Sequence, residues 1–194
     1  MNQPLDTYFG PQSECIRIDF ETSPGWGGSY VDIEVEADPN TYIRVTWGDA
    51  PAKICQHYTQ SLQLTHSYPS YNQGGGIRFT LCLELQEGAH FIGLKTRERS
   101  VFLNTLRLDV SHCPHLRYLQ YQKIEELRLP KRCMLTDLKL REYRGTHLDL
   151  SGARDLETFA CTYSGALQSI DLSHSTKLYT LGLLLGASPH DQAP

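Results

Sequence analysis

From Leu106 to Leu183 one pattern of apolar positions returns four times. Each copy opens with two large apolar residues one apart: Leu108/Val110, Leu127/Leu129, Leu148/Leu150 and Ile170/Leu172. Eight positions after each first member stand Leu116, Leu135, Leu156 and Leu178. Three and five residues further on come Leu119/Tyr121, Leu138/Leu140, Phe159/Cys161 and Leu181/Leu183. The period runs 19, 21 and 22 residues, and all the variation lies between the second block of one copy and the first block of the next. That segment is expected to be a loop, and the eight-residue spacing to be rigid. A repeat of this length cannot bury its apolar stripe alone and must stack on its neighbours, which predicts a solenoid. Within each block apolar and polar residues alternate, the period of a strand buried on one side, so each coil is expected to supply two short strands.

Upstream, the alternation belongs to isolated strands. Ile16, Ile18 and Phe20 interleave with Arg17 and Asp19, and Val31, Ile33, Val35 and Ala37 interleave with acidic residues. Ile43, Val45 and Trp47 form a third run, Leu62, Leu64, His66 and Tyr68 a fourth, and Ile77 to Leu85 the longest. Turn-rich clusters at 23–28, 38–40 and 74–76 separate them, which describes an antiparallel sandwich. Between Ala89 and Asn104 the pattern changes, with a charged run at 95–99, and the junction is placed there. The expected organisation is mainly β: a flexible lead-in at 1–14, a β-sandwich at 15–95, a leucine-rich repeat of about four coils at 96–186 and a tail at 187–194.

Two sets of residues carry a family resemblance. Trp47-Gly48-Asp49-Ala50 followed by His66-Ser67-Tyr68 and an alternating apolar strand resembles the PKD domain, an immunoglobulin-like module of surface proteins. Ala50 replaces that family's usual glycine, and the stretch from Pro69 to Gly76 is longer than its tight turn. The phrases Leu108-Asp-Val-Ser111, Leu148-Asp-Leu-Ser151 and Ile170-Asp-Leu-Ser173 resemble leucine-rich repeats of cell-surface proteins in gut Bacteroidetes, where a PKD-like sandwich often precedes them. The second copy departs, reading Leu127-Arg-Leu-Pro130. The asparagine ladder of better-known leucine-rich repeats is absent, with Tyr143 and Ser164 near its positions. The resemblance implies an immunoglobulin-like sandwich before the solenoid, and a location at the cell surface or outside the cell.

Charge changes this picture little. The net charge is −4 with Lys and Arg scattered, so no basic patch points to nucleic acid, and no apolar run is long enough to insert in a membrane as a helix. The start is polar and lacks the layout of a signal peptide. The six cysteines (Cys15, Cys55, Cys82, Cys113, Cys133 and Cys161) show no metal or redox spacing, and Cys82 and Cys161 read as packing residues. His112-Cys113-Pro114-His115 with Cys133 one coil away reads either as a zinc set or as a plain turn, and the turn is preferred because the proline fits it and no other copy repeats the whole set there. A Cys113–Cys133 disulfide stands as the alternative to unpaired thiols. No metal or cofactor is expected.

His66 beside Asp49 and Ser67 has the ingredients of a catalytic triad. It shares strand parity with Leu64 and Tyr68, however, which predicts a buried histidine satisfied by the Asp49 turn. With no phosphate loop or catalytic turn in the chain, an enzyme is not expected. The expectation is a binding module for a protein or glycan, with a structural stalk or assembly module as the alternative. Alternation turns Tyr118, Gln120, Asp137, Lys139 and Arg141 outward on adjacent strands, and these form the candidate ligand patch, with Trp26 in its glycine-rich loop as a secondary candidate. Asp109, Arg128, Asp149 and Asp171 are expected in one outward column, with Arg128 between two aspartates. The apolar edge of the last coil, Leu181 to Leu185, is a candidate for self-association.

Overall fold

The computed structural model describes residues 5–22, 29–68, 76–97 and 103–186. Alternation turns Ile16, Ile18 and Phe20 inward on β1 (Cys15–Thr22), with Arg17 and Asp19 on its other face. The same logic builds β2 (Ser29–Ala37), β3 (Thr41–Thr46), β5 (Ser61–Tyr68) and β6 (Arg78–Leu85) where the sequence predicts strands. Two more strands appear that periodicity did not disclose, β4 (Lys53–His57) and β7 (Phe91–Thr96). β4 lies at the end of its strand order and lacks a clean alternation, and β7 is disguised by Gly93 and Lys95. β1, β6, β3 and β4 pair antiparallel in that order, while β2 pairs antiparallel with β5 and β7. Their apolar sides meet: the Phe20 ring on β1 lies edge-on to Tyr68 on β5, centroids 5.0 Å apart.

The repeat forms a β-solenoid of about four coils. Its strands are β8 (Leu103–Asp109), β9 (Tyr118–Arg128), β10 (Asp137–Tyr143), β11 (His147–Asp149), β12 (Thr158–Thr162), β13 (Ser169–Asp171) and β14 (Thr180–Leu184). β9 serves two coils at once. Its first half pairs in parallel with β10 on one side and β7 on the other, and its second half pairs in parallel with β8. Since β8 also pairs with β1, each face of the solenoid continues one of the N-terminal strand groups, and all the buried apolar residues form one cluster.

The rigid eight-residue spacing has a visible cause. In the first coil Cys113 N–H donates to Val110 O and Leu116 N–H to Cys113 O; the third coil repeats this at 150, 153 and 156, and the fourth at 172, 175 and 178. Cys113, Ala153 and Ser175 are the small buried residues at these double turns. At the opposite corner Lys123, Glu142 and Tyr163 all adopt positive φ, 56°, 56° and 55°. Ser164 is fully buried there, its hydroxyl accepting Tyr143 N–H at 3.0 Å and donating to Thr162 O, so it does the work of an asparagine rung.

Of the lead-in, residues 5–14 are described. Leu5–Tyr8 makes a 3-10 turn, Tyr8 stacks on Tyr42, and Arg44 bonds both Asp6 and Glu84. Among the described residues no helix is long and apolar enough to cross a membrane.

Candidate functional site

The candidate patch rests on a parallel ladder in strict register. Tyr118 faces Asp137, Gln120 faces Lys139 and Gln122 faces Arg141; across the next pair Asp137 faces Thr158, Lys139 faces Ala160 and Arg141 faces Thr162. Gln120, Gln122, Lys139, Arg141 and Thr162 border a groove of about 240 Å³ that reaches Thr96 on β7. Lys139 Nζ lies 3.1 Å from Asp137, and the Arg141 guanidinium lies 5.4 Å from the Tyr163 ring centroid and 3.7 Å from Glu142. The strand therefore holds its own charges in partial balance while leaving Gln120 and Lys139 exposed.

Tyr118 does not join them freely. Its ring lies across Gly93, its register partner on β7, where any Cβ would collide with the ring. Lys95 Nζ sits 4.7 Å from the ring centroid. Burial pushes the phenol well above its ordinary range, and the Glu36 carboxylate beside the hydroxyl adds to this. Alternation places Tyr118 on the outward side of its strand, where it is half-buried, but does not show that a glycine on a neighbouring strand receives its ring. Trp26 lies outside the described residues.

The expected column splits. Asp109 pairs with Arg128 and Asp149 with Asp171, but a cleft of about 720 Å³ separates the two pairs. Arg128 is not set between two aspartates: its Nε donates to Glu126 of its own strand at 2.6 Å. The aspartates instead close turns. Asp109 Oδ1 accepts Ser111 N–H, Asp149 Oδ1 accepts Ser151 N–H and Asp171 Oδ1 accepts Ser173 N–H, at 3.0, 2.9 and 2.9 Å. Pro130 stands at the corresponding place in the second copy and has no N–H to give, so an aspartate at 128 would have nothing to accept. Arg128, Lys131 and Arg154 border the cleft with Asp149.

His66 is held as its parity predicts, though half-buried. Its Nε2 lies 2.9 Å from both oxygens of Asp49, its ring stacks on Trp47 at 4.6 Å, and Tyr68 donates to Trp47 O at 2.8 Å. Ser67, adjacent in sequence, belongs to the other face of β5 and is exposed. Gly48 has φ +91°, and a Cβ there would lie 2.8 Å from Thr80 O, so this turn requires glycine.

One constellation escaped the sequence reading. Glu14, just before β1, is buried and directs Oε1 at His90 Nδ1 and His115 Nδ1, 3.0 and 2.9 Å away. Its Oε2 accepts Phe91 N–H at 2.8 Å. The two imidazoles pack with centroids 3.6 Å apart. The three residues are 76 and 101 positions apart, so no local spacing could reveal them. The thiols beside His115 turn elsewhere: Cys113 Sγ donates to Cys15 O at 3.3 Å and Cys133 Sγ to Gly152 O at 3.7 Å. All six cysteines are free. Cys15 and Cys82 lie 3.1 Å apart on the outward side of β1 and β6, half-buried, so Cys82 is not the core residue its neighbours suggested. Their shared S–H···S contact raises the Cys15 thiol and lowers that of Cys82.

No family model, no curated protein and no solved structure matches the chain.

Proposed function

We propose that the chain is a non-enzymatic binding module, secreted or displayed at the cell surface, that meets a protein or glycan partner through the exposed face of β9, β10 and β12. In this reading the N-terminal strands are an immunoglobulin-like, PKD-like sandwich and the coils a leucine-rich repeat. The observation that carries it is the groove bordered by Gln120, Gln122, Lys139, Arg141 and Thr162. Parallel strands in register set amides, a hydroxyl and two cations on one surface, with rungs about 4.8 Å apart, a spacing that suits repeated polar contacts along an extended partner. Tyr118, on the same side of the sheet, flanks the face and lies across Gly93, joining β9 to β7.

The test is a glycan and peptide array probed with the full chain. For a binder so found, Lys139→Ala and Arg141→Ala should each weaken affinity by about 1–2 kcal/mol without shifting the melt. Unchanged affinity in both variants would remove this face from consideration.

A second reading, an assembly module, has its own observation. On β14, Leu181, Leu183 and Leu184 are 53%, 45% and 50% exposed, whereas the equivalent Leu138 and Phe159 are fully buried. This edge suits another copy of the chain or a further coil. Sedimentation should then show self-association in the parent that Leu183→Glu abolishes; a monomer at all concentrations would reject that reading.

A further inference from the structure

We infer that Glu14, His90 and His115 form a zinc-type metal site, three protein ligands with an open fourth position. The convergence is the argument. Two imidazole Nδ1 atoms and one carboxylate oxygen lie within 4.8 Å of one another, and both nitrogens approach the same oxygen at 2.9–3.0 Å. Donor atoms about 2.0–2.1 Å from a tetrahedral zinc lie about 3.3 Å apart. Each nitrogen–oxygen distance needs to grow by only a few tenths of an ångström, and the two nitrogens, which lie within 4.8 Å of each other, to settle near the same spacing, for an ion to enter where the ring N–H groups now meet the carboxylate. Two imidazoles and one carboxylate are a donor set for zinc and its borderline neighbours, not for calcium or magnesium, which take oxygen.

The surroundings are those of a held site. Glu14 is 7% exposed at its side chain, and its second oxygen is fixed by Phe91 N–H. Leu85 N–H donates to Glu14 O, and His90 N–H donates to an Asp38 carboxylate oxygen. His115 is carried by the turn that ends with Leu116 bonded to Cys113. Such outer contacts orient metal ligands before the ion arrives. The two imidazoles are 39% and 40% exposed, so an ion can enter and keep a water or an external ligand. Binding is balanced in protons when each neutral ring gives up its Nδ1 proton and takes one at Nε2. The ion would tie the segment before β1, the approach to β7 and the first coil together.

The experiment uses the full chain, reduced and stripped with chelator, titrated with cobalt(II) and then zinc(II). One equivalent of cobalt should bind with visible absorption of tetrahedral type and without a thiolate-to-metal charge-transfer band, and zinc should displace it. Imidazole NMR signals of His90 and His115 should shift on zinc addition while those of the other histidines stay. The double variant His90→Gln/His115→Gln should lose more than the roughly 10–100-fold in affinity that removal of an outer contact costs, and Cys113→Ser should bind like the parent. A parent that binds no metal at micromolar concentration overturns the inference. So does a thiolate band, or zinc shifts at other histidines; these readings on the parent hold even if the double variant does not fold.

Discussion

Asp19 shows how a single residue ties three neighbouring strands together, since its carboxylate on β1 meets Thr80 of β6 and Arg107 of β8. Thr80 donates to its Oδ1 at 2.6 Å and Arg17 at 3.2 Å, and Arg107 Nε lies 3.2 Å from Oδ2. Burial alone would raise this carboxyl, but the Thr80 and Arg17 bonds and the Arg107 charge together hold it below its ordinary value. A carboxyl depressed in the folded state stabilises fully above its unfolded value of about 3.9 and loses that contribution as pH falls through the folded value. Asp19→Asn should therefore cost about 1 kcal/mol at pH 7, and the gap from the parent should close in melts taken well below pH 3.9. Gly93→Ala tests a steric constraint: a methyl must displace the Tyr118 ring, at a cost of about 1–3 kcal/mol in denaturant titrations.

At the level of elements, the repeat was legible because burial has a period. Leu108, Leu148 and Phe159 fill the columns that spacing assigned to them, and Ser111, Ser151 and Ser173 mark turns that a side-chain oxygen closes. What stayed hidden was contact between distant segments. Nothing near Phe91 announces that β7 pairs with β9, and nothing near Glu14 announces His115. The patch was half legible for the same reason: alternation gives the side of a strand but not the room a neighbouring strand leaves for a side chain, as Gly93 does for the Tyr118 ring. The three corners at Lys123, Glu142 and Tyr163 carry a conformation that side chains with a Cβ disfavour. Lys123→Gly should relieve that strain and raise stability by about 0.5–1 kcal/mol, measured by chemical denaturation. A loss of stability would mean that Lys123 makes contacts worth more than the strain.

Across the whole molecule, β1 has β6 on one side and β8 on the other, and β7 joins β2 to β9. Separating the chain near residue 100 would expose both the faces of the N-terminal strands and the first coil's Leu108, Leu116 and Leu119, all of which are buried. Residues 100–194 made alone should aggregate or lack a cooperative melt; a soluble fragment with a sharp transition would show that the coils do not need the N-terminal strands. The two-coil strand β9 has a consequence for the order in which the molecule assembles. During synthesis the N-terminal strands emerge first, so β9 meets both of its earlier neighbours, β7 and β8, already made, and β10 and then β12 each have one earlier strand to pair with. Assembly is thus directional, and reversal should begin at the other end. Native-state hydrogen exchange should show protection falling from β9 through β10 and β12 to β14, a gradient of opening running along the molecule like the loosening of a zip from its free end.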